Sequence, residues 1–157
     1  MPRSVDRSRK RVVVHFKDGR LLKGYTSDFI PGKDTFSVTS EYERDRGRTY
    51  LVNLKDLKAL FFVKVLDGNI FYREKKKFKE VNMGHLRGLS IEIRFKDGET
   101  VRGSTLDYAV GKEAFFVTPV DPDSNNELIY VVCDAISELR VAGEAFEPTS
   151  EPVGATT

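Results

Sequence analysis

The residues of this 157-residue chain able to do chemistry are few and scattered. Asp28 and Asp107 each precede an aromatic residue, Phe29 and Tyr108, a pairing that suits a ligand contact or a metal ligand. An aspartate at a strand end more often accepts hydrogen bonds from the backbone of the following turn, and that reading leads. His15 and His85 lack the partner spacing of a metal centre or a general base, so both read as surface residues. Cys133 is the single cysteine, which excludes an internal disulfide and a multi-cysteine zinc site, and it reads as a small buried hydrophobe. The run Asp121 to Glu127 offers acidic and amide oxygens without EF-hand spacing, and its Asp-Pro and Ser-Asn-Asn phrases are turn formers. No Gly-x-Ser-x-Gly phrase and no glycine loop ahead of a helix is present. The expectation is a protein with no catalytic residue, no metal and no cofactor.

Charge gives the clearest binding signal. Arg73, Lys75, Lys76, Lys77 and Lys79 form a basic run with Tyr72 and Phe78 interleaved, and Arg7, Arg9, Lys10 and Arg11 form a second. Cations of this kind neutralise phosphates, and aromatic faces stack on unpaired bases. Residues 1–11 carry a net +4 (five basic, one acidic) and 64–88 another +4 (seven against three). Residues 89–139, by contrast, carry −6 (four against ten). So uneven a distribution argues against one polyanion surface shared by the whole molecule.

These residues are carried by an internal repeat. Phe16-Lys17-Asp18-Gly19 recurs as Phe95-Lys96-Asp97-Gly98, an offset of 79 residues. Without a gap the same offset pairs Gly24 with Gly103, Asp28 with Asp107, Phe36 with Phe115, Val52 with Val131 and Leu60 with Leu139. Val12, Val14 and Phe16 alternate with Val13, His15 and Lys17, as in a half-buried strand. Asp18-Gly19 and Asp97-Gly98 then predict a two-residue type I′ hairpin turn. Second strands follow from Leu21 to about Asp28 and from Val101 to about Tyr108, each with a mid-strand glycine that marks a bulge or bend. A third and a fourth strand, one helical turn at Leu54 to Leu57 or Cys133 to Ile136, and a fifth strand complete each copy. Such a layout is that of an SH3-like or Sm-like small barrel.

The run Val12-x-Val14-x-Phe16-x-Asp18-Gly19-x-x-Leu22-x-Gly24 is similar to the first signature of Sm-like proteins, which form RNA-binding rings. The Arg-Gly pair of that family's second signature is replaced by Lys55-Asp56 and Asp134-Ala135, so the resemblance implies the barrel and not the RNA pocket. A closer resemblance, over almost the whole chain, is to an uncharacterised bacterial family built on the phrase Phe-Lys-Asp-Gly with a downstream glycine. Some of its members stand beside PilZ domains, which bind cyclic di-GMP. Arg7-Ser8-Arg9-Lys10-Arg11 fits half of the PilZ signature, and the second half is missing, so direct cyclic di-GMP binding is not expected.

The sequence therefore predicts an all-β protein of two tandem five-stranded SH3-like or Sm-like barrels. A basic arm spans 1–11, the first repeat 12–63, a basic connector 64–88, the second repeat 89–142 and a disordered tail 143–157. No run approaches the roughly 18 apolar residues of a membrane span, and the basic N-terminus leads into an alternating segment, which suits a cytoplasmic protein. The expected function is a non-enzymatic interaction or adaptor module for a protein or signalling partner. The alternative is single-stranded nucleic-acid binding through the connector and the arm.

Overall fold

A computed structural model describes residues 9–66, 88–121 and 123–141, together with the backbone of a short strand at 144–146. The connector run Tyr72 to Lys79, the turn-forming phrase Asp67-Gly68-Asn69 ahead of it, His85 and Arg7 lie outside the described residues. The first repeat forms β1 (Lys10–Phe16), β2 (Leu21–Thr26), β3 (Thr35–Ser40), β4 (Thr49–Asn53) and β5 (Leu57–Val63), with a 3₁₀ turn at Leu54–Asp56. The second forms β6 (Leu89–Phe95), β7 (Thr100–Thr105), β8 (Ala114–Pro119), β9 (Asn126–Val132) and β10 (Ile136–Val141), with its 3₁₀ turn at Cys133–Ala135. Glu144–Phe146, assigned by composition to the tail, adds β11 against β10. No helix of the described residues is long and apolar enough to cross a membrane.

The hairpin turns differ from expectation by one residue. Gly19 N donates to Phe16 O at 3.0 Å and Phe16 N donates to Arg20 O at 3.0 Å, which encloses three loop residues rather than two. Gly19 takes the positive φ of 95° that such a loop needs at its third place, and Gly98 repeats it at 96°. Gly24 has a different task. A Cβ there would stand 2.0 Å from Thr39 O, and one on Gly103 would stand 2.0 Å from Thr118 O. These glycines let β3 and β8 cross close over the bent second strands.

All strands join one open antiparallel sheet in the order β11-β10-β6-β7-β8-β9-β5-β1-β2-β3-β4. Two separate closed barrels are not what the strands build. Instead of closing on β4 of its own repeat, β5 pairs with β9 of the other, Ala59 opposite Val131 and Phe61 opposite Ile129. The cause lies in β5 itself, which is apolar on both faces. Leu57 and Leu60 enter one core with Val12, Val14, Phe36 and Val52. Ala59, Phe61 and Val63 enter the other with Ile91, Ile93, Phe95 and Phe115. A strand of that kind is stable only when covered from both sides. In return, Ala114, Tyr130 and Val132 of the second repeat complete the core of the first. Neither repeat contains all of its own core.

Candidate strand-accepting groove

The outer edge of β9 shows what the fourth strand of a repeat can hold. There β5 lies antiparallel, with Ala59, Phe61 and Val63 pointing into the second core. Just before Ala59, the Lys58 ammonium lies 2.8 Å from Asp97 Oδ2, pairs with Glu99 as well, and stands 4.7 Å from the centre of the Phe95 ring. Burial alone would depress this ammonium. The hydrogen bonds it donates to Asp97 and Glu99 outweigh that and hold its pKa above the ordinary value. Phe95, Ile129 and Val131, the floor of this groove, are buried.

The same place in the first repeat lies along β4. Leu54 N donates to Asp34 O and Ser40 N donates to Arg48 O, both at 2.8 Å, so the even-numbered residues of β4 face β3. By strand alternation the backbone groups of Thr49, Leu51 and Asn53 point away from it. Among the described residues, no strand pairs with this edge. Beside it runs a groove of about 650 Å³ bordered by Phe16, Leu22, Tyr50 and Val52, the counterparts of Phe95, Val101, Ile129 and Val131. Phe16 and Tyr50 are only half-buried, and Leu51 on the strand's other face is 69% exposed.

The walls of the groove are fixed by polar contacts. Tyr50 Oη donates to Asp45, which also accepts from Ser40 Oγ at 2.5 Å. The hydrogen bonds from Ser40 and Tyr50 keep the Asp45 carboxyl below the usual range, and the bond to Asp45 raises the Tyr50 phenol. Tyr42 Oη donates to Leu21 O at 3.1 Å. At the far end the Arg20 guanidinium lies 4.8 Å from the centre of the Phe16 ring, with Nε 2.8 Å from Asp18 Oδ2. Apolar patches flanked by an open strand edge can take up an extended chain, with backbone hydrogen bonds for affinity and alternate side chains for specificity.

The residues singled out from sequence fall elsewhere. Asp28 Oδ1 accepts from Ser37 N at 2.8 Å, and Asp107 Oδ1 accepts from Phe116 N at 3.0 Å, so both clamp the backbone across a turn. The Ser37 amide lowers the Asp28 pKa. Cys133 is buried, and burial pushes its thiol up to about 11. Asp121 Oδ1 accepts from Asp123 N at 2.9 Å and Ser124 Oγ accepts from Asn126 N at 3.1 Å, as turn formers do, whereas Asn125 exchanges two hydrogen bonds with the Val65 backbone, at 3.0 and 2.9 Å, and so ties the loop to the end of the first repeat. His15 is a correction: its ring packs 4.2 Å from Phe61 in the seam between the repeats, because β9 and the second core cover the outer parity of β1 and β5. Burial, then Lys58, push its pKa down to about 4.

Of the basic candidates, Arg9 stacks 3.8 Å over the Tyr25 ring, and Arg11 Nη1 donates to Lys64 O at 2.7 Å. Lys10 borders a second recess with Phe29, Phe62 and Phe116. Neither the groove at β4 nor the roles of Arg20, Leu51 and Lys58 were picked out from sequence. A signal was present in the mismatch between copies, since Ala59 and Phe61 align with Glu138 and Arg140.

Residues 8–143 match a family of unknown function, DUF6982. The chain belongs to that family. Membership agrees with the resemblance to an uncharacterised family and assigns no activity to the groove. No curated protein and no solved structure matches the chain.

Proposed function

We propose that the chain is a non-enzymatic interaction module that takes up an extended segment of a partner protein along β4. The supporting observation is the filled counterpart: the chain already lays β5 into the equivalent groove of its second repeat. In this reading each repeat is an SH3-like or Sm-like unit left open between its fourth and fifth strands, and among the described residues no strand fills that opening in the first repeat. Each backbone hydrogen bond formed along the edge would contribute about 1 kcal/mol net, and side chains seated on Phe16 and Tyr50 would add apolar burial.

A fluorescently labelled peptide with the sequence of residues 55–64 tests this reading on the full chain by anisotropy. Saturable binding is expected, and Leu51→Pro should abolish it. That substitution removes an outward-pointing N–H, and edge strands tolerate proline. Absence of binding to the unaltered protein, or equal binding by the proline variant, would refute the proposal.

A second reading is single-stranded nucleic-acid binding. It draws on Lys10 beside the recess of Phe29, Phe62 and Phe116, where a base could stack next to a cation. It requires tight, salt-sensitive binding of a labelled single-stranded RNA that is lost when Lys75, Lys76 and Lys77 are changed to Glu.

A further inference from the structure

The filled groove also indicates what the open one should accept, and this step rests on the strand-acceptor reading above. In the second repeat the guest strand reads Lys58-Ala59-x-Phe61-x-Val63, with the small, aromatic and aliphatic residues on one face. The floor they meet is closely matched in the first repeat, where Phe16, Leu22, Tyr50 and Val52 replace Phe95, Val101, Ile129 and Val131. The charged end is not matched. Asp97 is kept as Asp18, but Glu99 becomes Arg20 and Ala135 becomes Asp56.

Arg20 has in effect taken over the task of Lys58. Its guanidinium lies 4.8 Å from the Phe16 ring centre, against 4.7 Å for Lys58 over Phe95, and it pairs with Asp18 as Lys58 pairs with Asp97. The cation over the ring is therefore supplied by the repeat itself. A guest lysine would meet Arg20 and compete with it for Asp18. A guest carboxylate would meet an Arg20 already paired with Asp18, and the like charges of Asp18 and Asp56 beside it. We infer that the groove along β4 recognises an extended partner segment with the pattern uncharged–small–x–aromatic–x–aliphatic, antiparallel to β4, in which the lysine of the internal guest is replaced by a neutral residue.

Other occupants fit less well. The β10 strand of a second copy, the counterpart of β5, carries Glu138 and Arg140 at the places of Ala59 and Phe61, and its edge is paired with β11. On the same outer face Glu92 pairs with Arg102 at 2.5 Å, so that end of the molecule is built for water. The chain's own C-terminal residues 147–157 contain Pro148 and Pro152, which interrupt strand pairing. The run Arg73 to Lys79 carries the charge of Arg20 and Arg44 on the groove.

Two labelled peptides of the 55–64 sequence, one natural and one with Lys58→Gln, are titrated against the full chain and against its Arg20→Glu variant. The variant restores the acid of the filled groove, and the Asp97 to Glu99 turn shows that the local geometry tolerates it, since Glu99 N donates to Asp97 Oδ1 at 2.9 Å as Arg20 N does to Asp18 Oδ1 at 3.0 Å. The Gln peptide should bind the unaltered protein about threefold tighter than the Lys peptide, and the order should reverse on Arg20→Glu. The same order on both proteins, or preference for Lys by the unaltered one, would overturn the inference while leaving the strand-acceptor reading in place. Binding of neither peptide to either protein would remove both. Light scattering on the free chain should give a monomer, and a dimer abolished by Leu51→Pro would assign the groove to a second copy instead.

Discussion

The Lys58 ammonium of the first repeat lies 4.7 Å from the centre of the Phe95 ring of the second, held there by ion pairs to Asp97 and Glu99. One long side chain thus ties β5 of one repeat to the first hairpin of the other. Lys58 has a raised pKa, so its contribution to stability is fully present below the unfolded value of about 10.4 and is lost as pH rises through the folded value. Lys58→Met should cost about 1 kcal/mol at pH 7 and flatten the fall in urea midpoint as pH rises above about 10.4. An unchanged alkaline slope in the variant would show that the pair contributes nothing.

His15 sets the opposite window. Its folded pKa of about 4 lies below the unfolded 6.5, so the unfolded chain binds the extra proton between these values. Stability should be fully present above pH 6.5 and decline toward pH 4, by about 2 kcal/mol after allowance for residual solvent at a half-buried ring. Asp97, Glu99, Lys58 and Lys23 are the charged groups that act on it. His15→Leu should remove this part of the acid dependence in urea titrations, and an identical pH profile would contradict it.

Phe61 belongs to the first repeat by sequence and to the second by packing. Phe61→Ala should cost about 3–5 kcal/mol. Because the two cores are interleaved, unfolding should stay a single transition, with tyrosine fluorescence and circular dichroism coinciding. Loss of the second repeat alone, seen as two separated transitions, would show that the seam does not couple them.

Gly24→Ala places a Cβ 2.0 Å from Thr39 O, against backbone that cannot swing aside. It should destabilise by about 2–3 kcal/mol, and Gly103→Ala by a similar amount. Gly32→Ala meets open space at a positive φ of 89° and should cost only about 1 kcal/mol. Thermal denaturation of the three variants orders them, and equal costs would mean that close approach at β3 is not the reason for Gly24.

The repeat register, the five strands of each copy, the helical turns, buried Cys133 and the backbone role of Asp28 were legible in sequence because each depends on residues close along the chain. The choice of strand partner was not. Alternation in β1 records which side chains are buried, but not whether β5 closes on β4 or on β9. The same gap misplaced His15: its parity faces outward in an isolated copy and inward once the second repeat lies against it. Asp-Gly likewise marks a hairpin without saying whether two or three residues form the loop. The decisive clue was comparative, since Val13, Ala59 and Phe61 are apolar where Glu92, Glu138 and Arg140 are charged. A face kept apolar in one copy and charged in the other is a face buried once.

Amide hydrogen exchange at β4, measured by NMR with and without saturating Lys58→Gln peptide of residues 55–64, tests the central claim most directly. The amides of Leu51 and Asn53 should exchange quickly in the free chain and become protected on binding, while those of Tyr50 and Val52, already bonded to β3, should change little. Saturation that leaves Leu51 and Asn53 as exposed as before would mean that the partner strand does not add to β4.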